Sequence, residues 1–330
     1  KRMQLLLSNF YGTTFLVAIY RMVIIMGIVL ELGAAPAPAP APLLFPSEAN
    51  AILNSGWWNP SLLDPRNICS WNDIDCNDAG SITGVRCPFD TPGLRLATLN
   101  LSAFKNLETL DASHCGLEGT IPPEIGNLPK LTYLHLSLNA LHGKIPPSLA
   151  NLTQLEELIL SHNNIQGSIP QNLGFLKSLS FLDLSANKIS GTLPMSLSNL
   201  TNLKQLDISH NLLSGSLKPL SDGRHALLTT INLRNNSISG EIPPELGYLP
   251  FLGTLDLSYN NLSGRVPMSL QNVPDVDLSF NNLNGPIPYG VSEFQLRGNS
   301  GICSNNSYYQ TEFDFKPCPA GNKKVWHNQL

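Results

Sequence analysis

Between Leu107 and Pro288 one pattern returns eight times: L-x-x-L-x-L-x-x-N-x-L-x-G-x-I-P. Its glycine falls at Gly119, Gly143, Gly167, Gly191, Gly215, Gly240, Gly264 and Gly285, at intervals of 24, 24, 24, 24, 25, 24 and 21 residues. A unit this short cannot bury its own apolar face. It must stack on its neighbours, so the chain lengthens coil by coil around one continuous core.

One coil, Leu131–Pro146, shows how the pattern works. Leu134 and Leu136 alternate with Tyr133, His135 and Ser137, a period of two that predicts a short strand with its leucines inward. Asn139 follows, with an amide suited to satisfying backbone groups of the turn. The same slot holds Asn163, Asn187, Asn211, Asn236, Asn260 and Asn281, and Cys115 in the first coil. Glycine then allows a bend, Ile-Pro ends the pairing, and the next leucines come from a short helical or 3-10 turn. The expected fold is an α/β leucine-rich repeat solenoid. It is a horseshoe of about eight to nine repeats with a parallel sheet on its concave side.

The flanks divide the rest of the chain. Residues 1–35 carry the apolar run Met22–Leu30 behind Arg21, then Gly33-x-Ala35, and read as a signal peptide or a signal anchor. Residues 36–46 form an Ala/Pro linker and 47–94 an N-terminal cap holding Trp57, Trp58 and Trp71. Repeats occupy 95–288, a second cap 289–318, and a polar tail 319–330.

Six cysteines stand outside the Asn ladder or at its start. Cys69 with Cys76 and Cys303 with Cys318 are expected to be disulfides stapling the two caps, which implies an oxidising compartment. Cys115 reads as a buried thiol in the Asn slot, with pairing to Cys87 as the alternative. Asn-x-Ser/Thr sequons at Asn100, Asn151, Asn199, Asn235, Asn261 and Asn305 agree with passage through the secretory pathway. No cofactor and no metal site is expected. The net charge is −4 with no basic stripe, which argues against nucleic acid as a partner.

The phrase L-S-G-x-I-P-x-x-L-G-N-L resembles the plant-specific leucine-rich repeat subtype, which implies a right-handed solenoid with disulfide-bonded caps. The cap W-W…C-x-W-x-x-I-x-C-N-D-A-G-S-I-T, from Trp57 to Thr83, is more specific. With L-N-L-S-A-F-K-N-L at 99–107 and the ending G-N-S-G-I-C…P-C, it resembles the male-discoverer-interacting group of plant receptor-like kinases. The resemblance implies an ectodomain at the extracellular face of the plasma membrane, or in the apoplast. It would bind a secreted peptide or protein and pair with a co-receptor kinase. A full-length relative would carry a serine/threonine kinase domain. This sequence holds no V-A-I-K or H-R-D set, so the chain itself is not expected to be an enzyme.

Ligand-binding candidates come from outward columns of the strands that depart from the repeat consensus. Tyr133, His135, Glu157, Ile159, Phe181, Asn232 and Arg234 do so; Asp183, Asp207 and Asp256 share their columns. Aromatics among polar groups on a sheet suit peptide recognition. Arg234 stands in a serine column between the coils of Asp207 and Asp256. It reads either as an internal ion pair or as a clamp for a ligand carboxylate. His114, His162 and His210 recur every second coil, roughly 9–10 Å apart and too far for one metal ion. They read as a pH-sensitive surface or as variants of a common turn residue. Against the receptor stands a soluble secreted solenoid, acting as an inhibitor of a microbial wall-degrading hydrolase or as a decoy. Such inhibitors usually carry an adjacent Cys-Cys pair in the cap, absent here.

Overall fold

A computed structural model describes residues 46–59, 64–88, 93–222, 224–288, 293–304, 310 and 315–319. The signal, the Ala/Pro linker up to 45, the Asn305 sequon and the tail from 320 lie outside the described residues. Among the described residues no helix is long and apolar enough to cross a membrane.

Each coil places one three-residue strand in a ten-stranded sheet. Its first strand, Ile74–Cys76, pairs antiparallel with Ile82–Arg86. All later pairs are parallel and in step: Leu110, Leu134, Leu158, Leu182, Leu206, Ile231, Leu255 and Val276 are successive partners. These side chains point inward and are 0–2% exposed. The next inward column, Leu136, Leu160, Leu184, Ile208, Leu233, Leu257 and Leu278, is fully buried. Opposite them, 3-10 turns such as Pro147–Asn151 and Gln171–Phe175 supply the remaining leucines. The turns nest closely: a Cβ on Gly174 would lie 2.3 Å from the Ser196 carbonyl oxygen of the next coil.

The sequence pattern did not reveal a second strand in each coil. Segments such as Leu117–Thr120 and Ala140–Gly143 pair in parallel beyond the Asn slot, building six-stranded and four-stranded sheets. The repeat glycines end or interrupt these strands with φ between 78° and 87°, a region open to glycine at little cost.

The Asn slot ties consecutive coils together. In Asn211, Nδ2 donates to the carbonyls of Leu184 and Ile208, and Oδ1 accepts from the Ile189 amide. Asn299 extends the same scheme into the C-terminal cap, bonding Leu278, Leu296 and Leu283. The sequence reading placed no ladder residue there, because it comes only 18 residues after Asn281.

Cys115 is not a free thiol. It is bonded to Cys87, with Cα atoms 6.3 Å apart. The strand ending at Arg86 pairs with the strand ending at Asp111, so stacking brings both cysteines to the same corner. A covalent link at the first ladder position replaces the amide bridge that each later coil makes to its predecessor. Cys69–Cys76 and Cys303–Cys318 are also bonded.

The N-terminal cap closes the apolar end of the stack. Trp57, Trp58 and Trp71 are buried in one run of rings with centroids 5.9 and 6.2 Å apart. Helix Pro46–Leu53 delivers Glu48, whose buried carboxylate accepts from the Ser81 hydroxyl and the Ile82 amide. That bond fixes the start of the strand Ile82–Arg86.

The irregular stretch 217–229 keeps the stack but changes its filling. His225 is fully buried, and among the described residues neither ring nitrogen has a hydrogen bond of good geometry. Burial holds its pKa below the usual imidazole value, outweighing the pull of Asp222 and of the Pro219 and Leu200 backbone in the other direction. The unfolded chain therefore takes up a proton near pH 6.5 that the folded chain refuses, and this residue costs stability as pH falls below that value.

Two outcomes follow from this packing. Asn211→Ala strands several buried backbone groups and should cost about 2–4 kcal/mol in urea unfolding. His225→Leu should raise the melting temperature, and by more at pH 5 than at pH 7.5; equal gains at both would contradict the buried neutral imidazole.

Candidate peptide-binding face

Outward residues of the long sheet form three columns. Thr109, Tyr133, Glu157, Phe181, Gln205, Thr230, Thr254 and Asp275 open the strands, and the Asp111-to-Asp277 column closes them. The serine column lies just beyond. A fourth recurring position, the one before the Asn slot, sits elsewhere. His114, Leu138, His162, Ala186, His210, Asn235, Tyr259 and Phe280 lie past the strands in a left-handed turn, with φ of 52–57°.

That conformation costs roughly 1–2 kcal/mol for a residue with a Cβ. It is offset by bonds to the next coil: the Leu138 amide donates to Ser161 and that of His162 to Ser185. Histidine and asparagine tolerate the left-handed region better than most residues. The recurrence of His114, His162 and His210 thus has a backbone cause. Among the described residues no cluster of His, Cys, Asp or Glu could hold a metal ion.

The aspartates of the face divide their two oxygens. In Asp183, Asp207 and Asp256, Oδ1 accepts from both the amide and hydroxyl of the serine two residues on. This local loop shapes the strand end, which explains why Asp-x-Ser recurs. Oδ2 is left for other use. In Asp207 it accepts from Asn232 Nδ2. Burial, and after it the charge of Asp183, raises the Asp207 pKa above the ordinary carboxylate value. Asp256 is raised as well, chiefly by burial. Ionisation of both groups works against folding, so their contribution improves as pH falls through the folded-state pKa.

Toward the N-terminal end the candidates interlock. His135 Nε2 lies 3.2 Å from Glu157 Oε2, and the Tyr133 hydroxyl donates to Glu156 at 3.4 Å. The Tyr133 and His135 rings meet edge to face. Ile159 and Phe181 are partly exposed on neighbouring strands, and Ile159 is the register partner of Asp183.

The coil of Arg234 lies between those of Asp207 and Asp256, but its side chain does not bridge them. It points toward the C-terminal coils. Nη1 donates to the Ser258 hydroxyl at 2.6 Å and lies 3.8 Å from Asp256 and 3.7 Å from Asp277. Its guanidinium also covers the Tyr259 ring at 4.5 Å. Tyr259 stacks on Phe280 at 4.3 Å, and Arg297 covers the far side of Phe280. The internal ion pair thus describes Arg234 in this structure, and Asp207 is held by Asn232. The run Arg234–Tyr259–Phe280–Arg297 was not legible in the repeat, because its aromatic members ride on the left-handed turn.

Known proteins show the same repeats. A leucine-rich repeat region matches residues 92–222, and single leucine-rich repeats match 227–249 and 251–273. The chain is 40% identical over 85 residues to the leucine-rich repeat receptor-like serine/threonine-protein kinase RGI4 of Arabidopsis thaliana, covering 26% of this chain and 7% of that protein. The Arabidopsis receptor kinase HAESA, solved with the peptide hormone IDA and the co-receptor SERK1, is 40% identical with a TM-score of 0.60. That match takes in 62% of this chain and 35% of HAESA's, so the protein spans about a third of that relative. A plant ice-binding protein matches at 25% identity and a TM-score of 0.65, over 84% of this chain and 99% of its own.

Removing the guanidinium tests the role assigned to Arg234. Arg234→Ala should cost about 1–2 kcal/mol in chemical unfolding, and the loss should shrink in 0.5 M salt as the aspartates are screened. No loss would mean that these contacts are idle.

The protein is a leucine-rich repeat solenoid with disulfide-bonded ends, similar in its repeats to the ectodomains of plant receptor kinases.

Proposed function

We propose that the chain is the extracellular recognition part of a plant receptor-like kinase, binding a secreted peptide on the outward face of the long sheet and pairing with a co-receptor kinase. The observation that carries this reading is the distribution of sequons. Asn100, Asn151 and Asn199 fall at 3-10 turns, Asn235 on a left-handed turn and Asn261 on the second-strand side. None falls on a strand of the long sheet. Glycans are bulky and would block docking wherever they stand. The face they leave open also holds the departures from consensus: Tyr133, His135, Glu157, Ile159 and Phe181. HAESA, which is bound to a peptide and a co-receptor, supplies the analogy. The cap from Trp57 to Thr83 supports a place in the male-discoverer-interacting group.

A second reading is a soluble secreted solenoid, acting as a hydrolase inhibitor or a decoy. It draws support from the ice-binding protein, a chain matched over 99% of its length.

The test is capture from apoplastic fluid by immobilised, secreted protein, followed by mass spectrometry. A peptide should be retained, lost at least about tenfold by Tyr133→Ala with Phe181→Ala, and kept by Thr192→Ala on the second-strand side. Capture of an intact hydrolase in place of any peptide would favour the second reading.

A further inference from the structure

The long-sheet face carries an excess of negative charge that its own cations leave unanswered. From Thr109 to Asp277 its strand columns hold Asp111, Glu157, Asp183, Asp207, Asp256, Asp275 and Asp277, against Arg234 beside them and Arg86 at the N-terminal edge, which is in register with Asp111 and paired with Asp75. Arg234 is already committed to Asp256 and Asp277, and Glu157 to His135. Asp183 and Asp207 stand in register on adjacent strands, with no cation within ion-pair distance among the described residues.

The backbone loop explains only half of each carboxylate. A serine amide needs one acceptor oxygen and no charge. Asn232, in the same column, performs that task with a neutral amide, its Oδ1 accepting from the Arg234 amide. Charge at Asp183 and Asp207 therefore exceeds what the local fold requires. Directly beside them lie the partly exposed apolar side chains of Ile159 and Phe181, one coil toward the N-terminus or in the same coil. The juxtaposition is an apolar step next to two carboxylates without a cation, on strands that carry no sequon.

We infer that this face takes a cationic peptide in extended form, an apolar side chain seated on Ile159 and Phe181 and a lysine or arginine against Asp183 and Asp207. Coils are about 4.8 Å apart and an extended chain advances about 3.3 Å per residue. From Ile159 the two carboxylates are one and two coils away, so a ligand whose apolar side chain is seated toward Ile159 carries its cation about two or three residues further on. Opposite charge across the contact speeds encounter and rejects acidic competitors. The inference rests on the peptide-receptor reading and specifies the ligand's chemistry.

The experiment pans a displayed random-peptide library against the full secreted chain and titrates enriched sequences, as synthetic peptides, into wild type, Asp183→Asn and Phe181→Ala. Asp183→Asn keeps the acceptor for Ser185 and loses only the charge, so thermal unfolding should match wild type. Expected are sequences with Lys or Arg two or three residues from an apolar residue, binding about three- to tenfold more weakly to Asp183→Asn and losing affinity with added salt. Enriched peptides that lack Lys or Arg, depend on Phe181 and ignore Asp183→Asn would overturn the inference while leaving a peptide receptor. A library that yields no binder would remove both.

Discussion

The amide of the ladder asparagine is the contact on which the rest of the solenoid depends. A coil of 24 residues turns its backbone sharply several times, and each turn leaves donors and acceptors inside the stack. One Asn side chain answers carbonyls in its own coil and in the coil before, and accepts an amide from that previous coil. It does so in nearly dry surroundings, where an unmet polar group is expensive and a met one is strong. Leucine burial supplies most of the driving force. Burial alone, however, does not fix the rotation of one coil on the next. The amide bridge does, and it brings the strands into the strict register that lines up the outward columns.

The ends of the stack need other solutions. At the start the Cys87–Cys115 bond joins the first coil to the cap strand before it in place of the amide bridge, while tryptophans cover the end of the stack. At the far end Asn299 adds a shortened coil, and Cys303–Cys318 closes it. The aromatic pair Tyr259 and Phe280, capped by arginines, holds the last two turns together along one edge.

Much of this was legible in the residues. The period gives the solenoid, and the alternation around Leu134 and Leu136 gives strand and facing. Cap pairs Cys69–Cys76 and Cys303–Cys318 follow from their isolation at the ends. Three features were hidden for physical reasons. The second strand lies in a stretch where consensus serine and glycine carry little β signal. The left-handed turn is occupied by Leu138, Tyr259 and Phe280, residues whose chemistry does not announce a positive φ. The direction taken by Arg234 depends on side-chain reach, which spacing does not encode. The columns of the candidate face were readable as positions. Their pairing, such as His135 with Glu157 or Asn232 with Asp207, needed coordinates.

Recognition is proposed for the outward long-sheet face, with the other faces serving as scaffold. A photo-crosslinking amino acid at Gln205, exposed in the middle of that face, tests the placement most directly, with Thr192 on the second-strand side as the counterpart. With the peptide captured from apoplastic fluid bound, crosslinks are expected from position 205 and not from 192. Crosslinks from 192 alone would put the binding surface on the other side of the solenoid and contradict the account.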